Sequence, residues 1–271
     1  MMRLKSRRAP VYIDTAVTPA KGPYPPIARR NLIYHVYPSP ANDLWRRNVD
    51  ELAARWDAFN GRKVVAVATG PGLESPATVR EYFPGPIEVL EVANDPQLRE
   101  VASFLPLLEA VASTRDDEAT FYGHTKGNSQ RQYQEAIRIW REGSYRALLD
   151  GPAAMAALEK YPLAGCCKIC WPTTVLPPYP SQLARGNWMF AGTYYWYRHD
   201  FAYRHPRWRD VPLDRYGAEA WPSCLTYAAY GRSLWQPWRE DVYPTPSPYQ
   251  VATWRRIQAP AAARPVVKVR G

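Results

Sequence analysis

Two ionisable side chains bracketed by glycines, His124 and Lys126, lie in the run Phe121-Tyr-Gly-His-Thr-Lys-Gly-Asn-Ser129. The run reads as a strand that empties into a short loop, with a helix beginning at Asn128 or Ser129. Backbone N–H groups at such a helix start, with an imidazole and an ammonium, would form a cationic corner suited to phosphate oxygens. Gly123 and Gly127 allow backbone to approach a ligand closely. The plainer alternative is a polar loop residue beside a solvated lysine. Downstream lies Gly186-Asn-Trp-Met-Phe-Ala-Gly-Thr-Tyr-Tyr-Trp-Tyr-Arg198, an aromatic run interrupted at Gly192. Its rings either pack as core or stack on a sugar. Together the two segments suggest a site holding phosphate at one end and a flat or sugar-like group at the other.

A third segment, Asp214-Arg-Tyr-Gly-Ala-Glu-Ala-Trp221, sets Glu219 among apolar and aromatic neighbours. Such surroundings raise a carboxyl pKa and suit it to general-base work, unless Arg215 or another arginine pairs with it. Asn94-Asp95 follows an apolar run, where a nucleotide or metal contact would sit; equally, Asp95-Pro96 has the form of a helix start. The cysteines are Cys166, Cys167, Cys170 and Cys224. A single Cys-x-x-Cys without a second pair or a nearby histidine falls short of a structural zinc site, so buried free thiols are expected. No Gly-x-Gly-x-x-Gly follows the first strand, Thr69-Gly-Pro-Gly72 lacks the Lys-Ser/Thr of a P-loop, and no serine nucleophile elbow occurs.

The elements that must position these residues alternate between strand and helix patterns. Residues 32–37 read as a first strand, followed by a helix capped at Asn42 with Trp45, Val49, Leu52, Trp56 and Phe59 on one face. Residues 63–69 form an apolar run of the kind buried on both faces, and a short helix from Ser75 to Tyr82 leads to a third strand over 87–92. Leu98, Val101, Leu105, Leu108 and Ala112 mark a helix that Pro106 should kink. A fourth strand spans 117–122 and a further helix runs from Ser129 to Leu149. Strands separated by helices imply a mainly parallel sheet, which places ligands beyond its carboxyl ends, where His35, Asn94, Asp95, His124 and Lys126 fall.

Beyond Pro152 the periodicity fades, and eight of the eleven tryptophans lie between Trp171 and Trp254. This half is expected to be loops, short strands and one or two short helices packed over the sheet. The net charge is +10, but residues 1–30 account for +6 of it and residues 255–271 for +5, leaving the body at about −1. A basic Pro-rich arm (1–30), one α/β domain (31–254, divisible at 150) and a basic tail (255–271) follow from this. The tails could meet an anionic surface, but a near-neutral body argues against specific nucleic-acid binding. No apolar run is long enough to span a membrane and no secretory signal opens the chain, so a cytoplasmic location is expected.

The series Tyr34-His35, Glu91-Val-Ala-Asn-Asp95, Phe121 to Gly127, Asn187 to Trp196 and Arg215 to Trp221 resembles bacterial glycosyltransferase-like proteins of polysaccharide synthesis. These are the rhamnan-synthesis F type proteins and their relatives in capsule and lipopolysaccharide clusters. The shared pattern is a His-x-Lys-Gly/Ser loop after a strand, a later Gly-Asn/Thr-x-Phe/Trp-Trp segment that here reads Gly186-Asn-Trp-Met-Phe190, and an acid close to a tryptophan, in the same order over about residues 31–230. The resemblance implies a type A glycosyltransferase-like fold, Rossmann-like with flanking helices, and transfer of a sugar from a nucleotide-sugar donor to a glycan or lipid-linked acceptor. It places His35, Asn94, Asp95, His124, Lys126 and Gly127 on the donor, with Asp95 also a ligand for Mn or Mg. Trp188, Gly192, Trp196 and Trp221 would meet the sugar or acceptor, and Glu219 would be the base. No Asp-x-Asp ends a strand, which leaves two alternatives for neutralising the leaving diphosphate, a divalent ion or cationic side chains. The alternative on the same fold is a non-catalytic glycan- or nucleotide-binding protein.

Overall fold

A computed structural model describes residues 22–127, 134–170 and 188–235. The two basic termini lie largely outside these residues, as does the helix start expected at Asn128 or Ser129. In chain order the first elements are β1 (Arg29–Val36), α1 (Leu44–Ala53), β2 (Lys63–Thr69), α2 (Pro76–Tyr82), β3 (Glu88–Ala93), α3 (Val101–Ala110) and β4 (Glu118–His124). They are followed by α4 (Gln134–Leu149), α5 (Ala153–Leu158), β5 (Leu163–Cys166), β6 (Lys168–Cys170), β7 (Trp188–Phe190), β8 (Tyr195–Arg198), α6 (His199–Ala202), α7 (Gly217–Leu225) and β9 (Gly231–Trp235). No helix among the described residues is long and apolar enough to cross a membrane.

Seven strands form one sheet in the order β3-β2-β1-β4-β8-β5-β9, with β6 and β7 as a separate pair. The first four run parallel, as their strand–helix alternation requires. β1 and β4 are buried along nearly their whole length, so neither shows the polar–apolar alternation of a strand with one solvated face. One face of the sheet is covered by Trp45, Val49 and Leu52 of α1, Val79 of α2 and Ile139, Tyr145 and Leu148 of α4. The other takes Val101, Phe104, Leu107 and Leu108 of α3 with Ala218, Trp221 and Leu225 of α7.

The second half departs from the expectation of a cover packed over the sheet. β8, β5 and β9 extend the sheet itself, with β8 antiparallel to both β4 and β5. These strands are three to five residues long, and β5 and β8 are wholly buried, so the sequence shows neither the alternation nor the length that betrays a strand. Two helices run through internal prolines, Pro106 in α3 and Pro222 in α7. Pro222 cannot donate to the carbonyl of Ala218; the Tyr195 hydroxyl donates to it instead, at 2.9 Å, so the missing helical bond is replaced from the sheet.

Candidate functional site

β1 connects to β2 and then β3 on one side, whereas β4 lies on the other side of β1. The direction of winding therefore reverses between β1 and β4, and a parallel sheet opens a crevice at the carboxyl ends of such a strand pair. His35 and His124 are register partners at those ends. Because β8 runs antiparallel with Tyr195 opposite Tyr122, the turn between β7 and β8 is delivered to the same end of β4. Gly192 sits in that turn. The topology thus gathers three of the segments singled out by their residue types.

The loop after β4 is held from below. Thr125 N–H donates to the His35 carbonyl at 2.9 Å, and the Thr125 hydroxyl accepts from Tyr37 N–H at 2.9 Å. Asn48, fully buried on α1, accepts from Lys126 N–H at 2.9 Å, and Gln134 donates to the Gly127 carbonyl at 3.0 Å. Gly127 has φ of 97°, a conformation that favours glycine. So fixed, Lys126 lays its ammonium 4.0 Å above the Trp140 ring, a cation–π contact. No carboxylate among the described residues comes within ion-pair distance of it. Burial lowers its pKa, while Glu219 and then Glu100 act in the opposite sense.

Glu219 lies in the first turn of α7 and is nine-tenths buried. Its Oε1 accepts from Gly192 N–H at 2.7 Å. Burial pushes the carboxyl up to about 7, with Lys126 the strongest influence pulling it back. Gly192 has φ of 85°, and a Cβ there would lie 2.6 Å from Trp140 and 3.0 Å from the Lys126 ammonium. One glycine therefore presents its N–H to the carboxylate while leaving room for the lysine.

His124 is not the cation expected in this corner, and His35 beside it is neutral too. His35 Nδ1 is 2.8 Å from Ser103 Oγ, and that hydroxyl donates to the Glu100 carbonyl at 2.9 Å. His35 Nδ1 must then donate, which leaves Nε2 as an acceptor. Burial lowers its pKa to about 4. His124 is brought down to about 3, first by burial and then by the Lys126 charge, with the Gly192 backbone offsetting part of this. Its Nδ1 lies 3.9 Å from Glu100 Oε1. Both rings are neutral near pH 7, so positive charge reaches this corner from Lys126 first, with Arg99 a lesser influence on His124 and Arg215 on Glu219.

The remaining candidates divide. Asn94 follows β3 at the carboxyl edge of the sheet, donating its N–H to the Thr69 carbonyl. Asp95 Oδ1 accepts from Gln97 and Leu98 N–H at 2.7 and 2.9 Å, the helix-start geometry that competed with the ligand reading. No three His, Cys, Asp or Glu side chains among the described residues converge in a way that could hold a metal ion. The tryptophans are corrected outright. Trp188, Trp196 and Trp221 are at most 1% exposed, and their indole N–H groups donate to the carbonyls of Thr226, Leu148 and Trp208. Rings so buried and tethered have no face to offer a sugar. The four cysteines are free and buried, as expected.

Glu100, Trp140, Asn48 and Tyr122 border this site without having been singled out. Tyr122 lies inside the run quoted with His124 and Lys126, and Trp140 within the helix expected to end at Leu149; Glu100 and Asn48 are brought in by tertiary packing. Comparison with protein-family models and with curated proteins returned no match.

Proposed function

We propose that this protein is a glycosyltransferase that moves a sugar from a nucleotide-sugar donor to a hydroxyl of a glycan or lipid-linked acceptor. The observation that carries the reading is the pairing of an ammonium that meets no ion-pair partner among the described residues, Lys126, with a carboxyl whose pKa lies near 7, Glu219, about Gly192. A mainly parallel sheet with the site at its winding reversal is compatible with the type A glycosyltransferase fold implied by the resemblance.

In this reading the donor diphosphate lies against Lys126. The bond between the anomeric carbon and the diphosphate oxygen breaks, and the acceptor oxygen bonds to that carbon. Glu219 takes the acceptor hydroxyl proton; a pKa near 7 matches a base working at neutral pH. Negative charge grows on the departing diphosphate, and the ammonium stabilises it in a partly desolvated setting. Gly192 N–H fixes one Glu219 oxygen and leaves the other for the proton. The described residues do not fit a divalent ion: Asp95 is engaged by backbone N–H groups, and no metal-ligand cluster accompanies it among them. No step is therefore routed through a metal.

A thermal-shift series of nucleoside diphosphates and nucleotide sugars on wild type and Lys126→Ala tests the donor site. A ligand at 100 times its Kd adds about 2.7 kcal/mol of stability. The expected result is a shift in wild type that the variant loses. Shifts of equal size in both proteins, or none in either, contradict the reading.

A further inference from the structure

α3 starts directly over the two histidines of the β1–β4 pair. Ser103 Oγ lies 2.8 Å from His35 Nδ1, and Glu100 Oε1 lies 3.9 Å from His124 Nδ1. The first turn of α3 is thereby seated on the carboxyl ends of both strands, and the residue before Glu100 stands at their rim. That residue, Arg99, is exposed, and Lys126 in the loop after β4 is half-buried. After burial, the Lys126 charge and, more weakly, that of Arg99 both press His124 toward its neutral form, so both cations lie within electrostatic reach of one imidazole.

Arg99 is held there by an unusual backbone. Its φ is 55°, in the left-handed region that glycine and asparagine enter most readily. Asp95 builds the turn: its Oδ1 accepts from Gln97 and Leu98 N–H, and its carbonyl accepts from Arg99 N–H at 2.7 Å. A turn needed only for the fold would be met at lower cost by glycine, so a long cationic side chain at this position calls for a use. The guanidinium makes no compensating ion pair, for no carboxylate among the described residues comes within ion-pair distance of it. Arg46, Arg62 and Arg209, by contrast, are engaged by Glu74, Glu88 and Glu109. The N–H groups of Val101, Ala102 and Ser103 already donate to the carbonyls of Leu98, Arg99 and Glu100, so this rim offers a guanidinium rather than a helix end.

We infer that Arg99 is a specificity-determining residue of the Lys126 site, holding the second phosphate of a diphosphate whose first lies against Lys126. A guanidinium meets phosphate oxygens through a planar fork of N–H groups, whereas an ammonium acts as a point charge. Glu100 offsets one unit of positive charge here, so Lys126 alone would leave the rim near neutral and Arg99 makes it net positive. A diphosphate can engage both cations at once, which a single phosphate cannot do as fully. Both cations reach solvent, so the ligand needs no opening in the core. The inference rests on the donor reading above and deepens it by naming the residue that selects a diphosphate.

The test is isothermal titration calorimetry on the full chain with orthophosphate, inorganic pyrophosphate and uridine and guanosine diphosphates. Wild type is compared with Arg99→Gly, Arg99→Lys and Lys126→Ala. The expected result is a wild-type preference for diphosphates over orthophosphate of at least tenfold, cut to within threefold in Arg99→Gly and intermediate in Arg99→Lys. Glycine enters the left-handed region freely, so the urea midpoint of Arg99→Gly should equal or exceed that of wild type; a lowered midpoint would assign Arg99 to the fold and overturn the inference. Diphosphate binding that needs Lys126 but is unchanged in Arg99→Gly also overturns it and leaves the donor reading standing. Arg99-dependent binding of pyrophosphate with no binding of either nucleoside diphosphate does the reverse. A wild type that binds none of these anions refutes both.

Discussion

The two ends of the β1–β4 strand pair carry similar side chains in opposite states. At the amino end, Asn31 donates to Glu118 Oε1 at 2.7 Å and the Ser113 hydroxyl donates to Glu118 Oε2 at 2.5 Å. His199, fully buried, has Nδ1 2.8 Å from Ser113 Oγ and Nε2 2.6 Å from Thr120 Oγ1. Asn31 Oδ1 accepts from Arg62 N–H, and Arg29 lies 3.4 Å from Glu118. Asn31, Ser113, Glu118, Thr120 and His199 are all partnered there, although Arg30 Nε at the same end has no hydrogen-bond partner among the described residues. At the carboxyl end, a histidine and a glutamate again meet, but among the described residues His124 Nε2 and the Tyr122 hydroxyl have no hydrogen-bond partner and Lys126 faces a ring instead of a carboxylate. A serine, histidine and glutamate in contact therefore do not by themselves mark chemistry. The closed network joins the base of the sheet, whereas the open one holds binding capacity that the fold does not use.

The sharpest way to break this comparison is to open the closed end. Glu118→Leu strands Asn31, Ser113 and His199 and is expected to cost about 3–5 kcal/mol in denaturant unfolding. A loss below about 1 kcal/mol would mean that the amino-end network is not structural. At the open end, Gly192→Ala forces a side chain into Trp140 at a positive φ. About 2–4 kcal/mol of lost stability is expected, accompanied by loss of diphosphate binding. Retained binding would show that the turn does not shape the site.

Protonation separates Glu219 from the buried histidines of both ends by sign. Glu219 has a folded pKa of about 7, above its ordinary 4.5, so the native state holds its proton more tightly. Its contribution to stability is fully present below about 4.5 and is lost as pH rises through 7. Glu219→Gln should therefore raise stability at pH 8 by on the order of 2 kcal/mol while abolishing turnover. The neutral histidines behave in the opposite way. His35, His124 and His199 have folded pKa values of about 4, 3 and 4 against an ordinary 6.5. Stability they confer is present above 6.5 and falls as pH drops from there toward 4. Urea midpoints of wild type from pH 8 to 4 should fall on acidification below 6.5, and a midpoint flat over that range would show that these rings are not held neutral.

Much of the first half was legible because long elements carry their own signals. The apolar run over β2, the Ser75 cap of α2 and the helix faces of α1 needed only local pattern. Lys126, Gly192 and Glu219 were legible because glycines beside charged residues, and an acid among rings, are unusual locally. Burial is not local, and there the sequence misled. His124 read as a cation because nothing in its loop announces that it is buried beneath neighbouring elements. The tryptophans read as a sugar platform because aromatic density looks the same in a core as in a cleft. Glu100 was invisible because α3 brings it to the site from a distant part of the chain.

The most direct measurement is release of nucleoside diphosphate from a panel of nucleotide sugars, with simple glycosides as acceptors, across pH 5 to 9. The account predicts release that rises through about pH 7 as Glu219 loses its proton, collapses in Glu219→Gln and weakens at least tenfold in Lys126→Ala. Release that is absent for every donor, or that survives in Glu219→Gln with an unchanged pH profile, would contradict it.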